Sequence, residues 1–250
     1  MKRIAELNPK GEWCVYQRPF RHIRAERVFR TDVYQRLESA FLSLKNADEA
    51  EFRQGTGYDA LILAMRQNLA SGFAPLFERR WTDFLAGLVD LPQSAQIDGA
   101  LHHIPAGSRS GWVHNDFCSG WFNAKSKGDT IFPDRGKCDY FTGTPKAPGF
   151  QPKEFVRAAT MIFYLHNDDW KQGCGGETGL YEASHAGAGE MCAVPPVNNS
   201  LLLFECSPHS YHSLIANPGS HRNSIILWLH SSVENTEARW GKAFQRHKPK

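Results

Sequence analysis

The stretch Ser200–His230, "SLLLFECSPHSYHSLIANPGSHRNSIILWLH", decides how this chain folds. It contains an apolar run at 200–205, an alternating run at 211–215 and a second apolar run at 222–230. Short runs bounded by turn residues read as strands, because a helix would need a longer segment of 3.6-residue periodicity. Asn217-Pro218-Gly219 supplies the turn that folds 211–215 back against 222–230. The hairpin gathers His209, His212 and His221 beside Arg222, and the run alone leaves open which of the histidines is a ligand.

Outward from this stretch the same texture extends back to Ile97, with short apolar or alternating runs at 98–104, 111–117, 156–165, 177–182 and 190–194. Together with the three runs above, they predict a jelly roll or barrel. The first third reads differently: "DVYQRLESAFLSLKN" from Asp32 and "YDALILAMRQNLASGFAPLFERRWTDFLAGLVD" from Tyr58 space apolar residues three and four apart, as packing helices do. The expected fold class is therefore an all-β core with flanking helices (α+β). One domain is expected over 1–250, with a mainly helical part at 1–96, a jelly-roll core at 97–232 and an insert at about 118–154. Within the insert, 124–154 is polar and rich in Gly and Pro, and too long for a connector, so it is either a lid or a disordered insertion.

A formal charge of +3 lacks the dense basic stripe of a nucleic-acid binder but favours a small anionic substrate. The six cysteines are scattered without a CxxC pair, which predicts free thiols and a cytoplasmic protein. "MKRIAELNPKGEW" has no apolar signal region, and no window is long and apolar enough to span a membrane. Arg18, Arg21, Arg24, Arg27 and Arg30 recur at steps of three and read as a solvated cationic ridge.

"GWVHND" sets His114 and Asp116 two apart in an expected strand, so both point to one face and can serve one cation. A third ligand with open positions opposite would make a two-His-one-carboxylate iron site. On 222–230 the same alternation puts Arg222, Ser224, Ile226 and Trp228 on one face. A buried guanidinium there needs an anion: either an internal carboxylate, Glu205 or Asp116, or the far carboxylate of a 2-oxo diacid whose other end chelates a metal.

Four segments in this order resemble the prolyl-4-hydroxylase-like branch of the Fe(II)/2-oxoglutarate dioxygenases: "IPAGSRSGWVHND", "ATMIFYLHNDDWKQGCGGETGLY", "VPPVNNSLLLFECSPHSYHSL" and "RNSIILWLH". The resemblance implies a double-stranded β-helix (jelly roll) with N-terminal packing helices. It also implies Fe(II), 2-oxoglutarate as cosubstrate and O2, with succinate and CO2 as products. His114, Asp116 and His212 match the iron ligands and catalytic centre, and Arg222, with Ser224 and Tyr164, matches the binding site for the oxoglutarate distal carboxylate. His209 lies thirteen residues before Arg222, where the family spacing is the ten shown by His212, and His221 adjoins Arg222 on the opposite face.

The chain departs from the family at Ile104, where some relatives have tyrosine, at His166, where relatives often have Asn, and in the long 118–154 stretch. The expected activity is hydroxylation of a small or medium-sized metabolite, such as an amino acid or specialised-metabolite intermediate. Hydroxylation of a peptide or protein side chain is the alternative within the same chemistry. A zinc-type hydrolase or a non-enzymatic jelly-roll metal-binding or sensor domain is the alternative outside it.

Overall fold

The computed structural model describes residues 4–47, 52–55, 59–66, 71–184 and 192–241. The elements run β1 (Glu12–Tyr16), β2 (His22–Glu26), α1 (Thr31–Asn46), β3 (Arg53–Gln54), β4 (Leu61–Ala64), α2 (Ala74–Phe77), α3 (Arg79–Leu88) and β5 (Ile97–Ile104). Then follow β6 (Ser119–Asn123), β7 (Pro152–Tyr164), β8 (Thr178–Tyr181), β9 (Cys192–Val194), β10 (Ser200–Glu205), β11 (Tyr211–Leu214), β12 (Arg222–Ser232) and α4 (Val233–Trp240). The large sheet has the order β1-β2-β10-β7-β12-β5-β4-β3, with β6 paired to β7, and a small sheet has the order β11-β8-β9. This is a jelly-roll core with flanking helices, the expected class.

Strand alternation explains the layers. On β12, Ile225, Leu227 and Leu229 point outward, and with Phe163, Leu201 and Leu101 they form the main apolar core. α1 covers it with Val33, Leu37 and Phe41, spaced four apart on one helical face, and α3 with Trp81 and Leu85. The other parity points between the two sheets, where Ile162, Tyr164, Leu180, Val194, Leu202 and Phe204 pack together. The inter-sheet space is apolar at this end, and polar side chains of the same parity gather beside it.

The turn into β8 shows why its glycine is there. Gly175 has φ +78°, and a Cβ on it would stand 2.0 Å from the Ala216 carbonyl oxygen. Only a residue without a side chain lets this turn approach the β11–β12 hairpin so closely.

Several expectations change. The N-terminal part is only partly helical: β1 and β2 extend the large sheet beside β10, and β4 pairs with β5 where a helix was expected. Parts of that expected helix, at 58 and 67–70, lie outside the described residues, as do 190–191 of the expected strand at 190–194. The expected strand at 111–117 is reduced to a bridge between His114 and His212. Arg18, Arg21, Arg27 and Arg30 are exposed, as a solvated face requires, but they form no continuous ridge: Arg24 lies half-buried in β2, Arg21 pairs with Asp90, Arg27 with Glu12 and Arg30 with Asp32. A step of three reverses face in a strand, which disperses them. The long stretch after β6 packs Ile131 and Tyr140 against Phe122 and Phe155, so it is built into the fold. All six cysteines are free thiols. Among the described residues no helix is long and apolar enough to cross a membrane.

Candidate active site

His114 and His212 arrive on different segments and are locked together by their own backbones. His114 N–H donates to His212 O at 3.0 Å, and His212 N–H donates to His114 O at 2.7 Å. Their rings lie 4.5 Å apart. Each Nδ1 faces the carbonyl two residues earlier, Trp112 O at 2.9 Å for His114 and Ser210 O at 3.2 Å for His212. A proton on each Nδ1 satisfies those carbonyls and leaves both Nε2 lone pairs for a cation.

Asp116 completes the group. Its Oδ1 is 3.9 Å from His114 Nε2 and its Oδ2 is 3.6 Å from His212 Nε2. The three ligand atoms all lie within 4.8 Å of one another. Two imidazole nitrogens and one carboxylate oxygen, brought together from one side, are the donor set of a facial iron triad. Thr160 Oγ and Trp228 Nε1 both donate to Asp116 Oδ2 at 2.8 Å, which fixes the plane of the carboxylate. Burial would raise its pKa, but His212, Arg157 and His114, with the Trp228 hydrogen bond, hold it well below the usual carboxylate range. Burial and the neighbouring His114 lower His212 to about 4, so its imidazole is neutral at pH 7.

Away from the triad stands Arg222, 5 % exposed. It donates to Thr178 Oγ at 3.0 Å, has Nη1 3.4 Å from Ser224 Oγ, and lies 5.2 Å from the centre of the Tyr164 ring. Tyr164 and Thr178 share a hydrogen bond at 2.7 Å. No described carboxylate forms an ion pair with Arg222, and its Nε is buried without a partner. The internal ion pair with Glu205 or Asp116 is thereby ruled out: Glu205 pairs with Arg239, and Asp116 lies near Arg157. A buried guanidinium among hydroxyls fits a dianion whose distal carboxylate ends there.

The sequence of residues 150–230 matches the profile of the 2OG-Fe(II) oxygenase superfamily. Over that stretch, which holds β7 to most of β12, the chain carries His212 and Arg222 within the match to that superfamily. It is a dioxygenase that uses Fe(II), 2-oxoglutarate and O2, which retires the zinc-hydrolase and non-enzymatic readings. Its fold is similar to that of a Trichoplax adhaerens prolyl hydroxylase solved in complex with a hypoxia inducible factor oxygen degradation domain peptide fragment. That pair has 16% identity and a TM-score of 0.55, over 90% of this chain and 87% of that one. It is also similar to the viral collagen prolyl hydroxylase of Paramecium Bursaria Chlorella virus-1 in its 2OG complex, at 11% identity and a TM-score of 0.52, over 84% of this chain and 96% of that one. No curated protein matches the chain.

Of the three clustered histidines, His212 alone lies with His114 and Asp116 in the group that could hold a metal ion. His209 is exposed, and His221 bonds the His166 carbonyl at 3.1 Å on the far side of the hairpin. Arg157 lies outside the residues that the sequence singled out for the site. It is buried: its Nη1 lies 3.5 Å from Asp116 Oδ1, its Nη2 3.6 Å from Asp98 Oδ2, and its guanidinium 3.9 Å from the Trp228 ring centre. The register of β12 against β7 runs Trp228 opposite Thr160 and Leu229 opposite Ala159, then jumps to His230 opposite Arg157. Ala158 is left over as a bulge, and the bulge turns Arg157 to the inward parity that plain alternation denies it. Arg135 donates to Asp98 at 2.7 Å, and the Tyr140 hydroxyl lies 3.2 Å from Arg157 Nε and 2.7 Å from His230 Nε2. The insert is thus tied by an internal ion array to the carboxylate of the triad. Arg109 remains exposed, paired with Asp59.

Asp98, fully buried, is the hub of that array. Asp98→Asn should leave Arg135 and Arg157 undercompensated and cost about 3–5 kcal/mol. For a chain of this size that corresponds to a melting temperature lower by about 6–20 °C. Differential scanning calorimetry checks it; an unchanged melting temperature would contradict a structural role for the array.

Proposed function

We propose that this oxygenase hydroxylates a small or medium-sized metabolite, releasing succinate and CO2, with His114, Asp116 and His212 holding Fe(II) and Arg222, Ser224 and Tyr164 holding the distal carboxylate of 2-oxoglutarate. Iron and oxoglutarate, when bound, supply the activation of O2 that oxidises a substrate C–H bond. The protein's part is to orient and exclude. The two Nδ1–carbonyl contacts hold the imidazoles in the ligating tautomer, Thr160 and Trp228 hold the carboxylate plane, and the Arg222 fork sets how far the cosubstrate enters.

The observation that supports the substrate reading is the insert after β6, which packs Ile131 and Tyr140 against Phe122 and Phe155 and sets the Tyr140 hydroxyl 3.2 Å from Arg157 Nε, next to the candidate metal group, as a built part of the fold. A panel of metabolites, scored for succinate release under air with Fe(II) and oxoglutarate, tests it. A metabolite that accelerates succinate release supports the proposal, whereas stimulation only by proline-containing peptides would replace it with the second reading.

That second reading, hydroxylation of a peptide side chain, draws on the likeness to the Trichoplax adhaerens enzyme solved with a peptide fragment. It is also favoured by Trp112, 48 % exposed and 5.5 Å from the His114 ring, which offers a flat contact surface beside the candidate metal group.

Replacing Arg222 by alanine tests the cosubstrate half separately. Loss of a charge-assisted contact to a carboxylate, worth about 1.5–3 kcal/mol, should raise the KM for oxoglutarate about 10- to 150-fold. Iron affinity should not change. An oxoglutarate KM equal to that of the wild type would remove Arg222 from the site.

A further inference from the structure

The register of the large sheet arranges its inward side chains in rows. Arg222 lies opposite Ile104, Ser224 opposite His102 and Tyr164, Ile226 opposite Ala100 and Ile162, and Trp228 opposite Asp98 and Thr160. Directly opposed residues of antiparallel strands share a face, with Cβ atoms about 4.5–5.5 Å apart. One row therefore carries an imidazole, a hydroxyl and a phenol side by side, between the row of Arg222 and an apolar row. His102 is 4% exposed, and Ser224 and Tyr164 are 0% exposed. Arg222 leans over this same row, with Nη1 3.4 Å from Ser224 Oγ.

A carboxylate accepts at about four lone-pair positions. The hydroxyls beside Arg222 are already partly engaged with one another, Tyr164 with Thr178 and Thr178 with Arg222. From the β5 side, Ile104 brings only hydrocarbon to Arg222, and the polar side chain that β5 adds to the neighbouring row is His102. Burial and the nearby Arg222 keep His102 neutral, with a pKa near 3, so it can offer an N–H without a second positive charge beside the guanidinium.

We infer that His102 is a further cosubstrate-binding residue, donating an imidazole N–H to the distal carboxylate of oxoglutarate from the strand opposite Ser224 and Tyr164. The inference rests on the cosubstrate reading above and extends it to a residue outside the motifs. It assigns to His102 the donor that Ile104 cannot be.

The test is calorimetric titration of the protein loaded with Mn(II), which is inert in this chemistry, with two ligands: 2-oxoglutarate and pyruvate. Pyruvate keeps the 2-oxo acid end and lacks the distal carboxylate. His102→Ala should bind oxoglutarate about tenfold or more weakly, as expected for a lost hydrogen bond to a charged group, with Mn(II) and pyruvate affinity unchanged. His102→Gln, which keeps an N–H donor, should recover part of the loss. Equal oxoglutarate affinity in wild type and His102→Ala would overturn the inference alone, and so would a parallel loss for pyruvate, because a distorted barrel weakens both ligands. Wild-type protein that binds no oxoglutarate would overturn the cosubstrate reading, and this inference with it.

Discussion

His212→Ala should abolish iron-dependent decarboxylation of oxoglutarate, while His209→Ala, three residues away, should leave it close to the wild-type rate. The contrast follows from position. His212 is buried, with its Nε2 3.6 Å from Asp116, and is bonded through its backbone to His114. His209 is exposed on the turn before β11. Removing one of the three proposed ligands would destroy the arrangement proposed to hold the ion, so the loss should be complete within detection. Asp116→Ala should behave the same way and should also remove the carboxylate that Thr160 and Trp228 donate to, leaving Arg157 with Asp98 as its counter-ion. Succinate release measures turnover, and Mn(II) titration separates lost metal from lost chemistry. Full activity in His212→Ala with loss in His209→Ala would reverse the ligand assignment.

What the sequence made legible was whatever period-two alternation and turn chemistry encode. β10, β11 and β12 fall within 200–205, 211–215 and 222–230 nearly as expected, and the parity of Arg222, Ser224 and Trp228 follows from counting. The same count back from Tyr164 reaches Ile162 and Thr160, so the hydroxyl that holds Asp116 was within reach of that reasoning. Arg157 was not, because the bulge at Ala158 reverses parity and nothing in "FVRAATMIFY" announces a bulge. β4 was hidden for another reason. "LILA" is a four-residue apolar run next to helical sequence, and periodicity cannot separate a buried strand from a helix over so short a stretch. Nor does the local pattern indicate that Arg135, inside a polar insert, reaches Asp98 on β5; that contact exists only once the chain has folded.

The second large effect is on stability as the solution turns acidic. Three histidines are buried in neutral form: His212 with a pKa lowered to about 4, and His102 and His230 to about 3. Burial is the main cause in each; His114 adds to it at His212, Arg222 at His102 and Arg157 at His230. In the unfolded chain a histidine titrates near 6.5. Below that pH the unfolded state takes up protons that the native state refuses, so stability is whole above about pH 6.5 and falls as the pH drops toward the folded values. Each group contributes a slope approaching about 1.4 kcal/mol per pH unit, and three of them remove about 6 kcal/mol between pH 7.5 and pH 5. A domain stable by about 5–15 kcal/mol loses much or all of its margin over that interval. Urea denaturation of the metal-free protein at pH 7.5, 6.5, 5.5 and 5 should therefore show a falling midpoint, and His102→Gln should flatten the fall by about a third, because one of the three proton sinks is gone. A midpoint constant across this range would mean that the three imidazoles accept protons in the native state, and with them charge, inside a barrel that already holds Arg157 and Arg222.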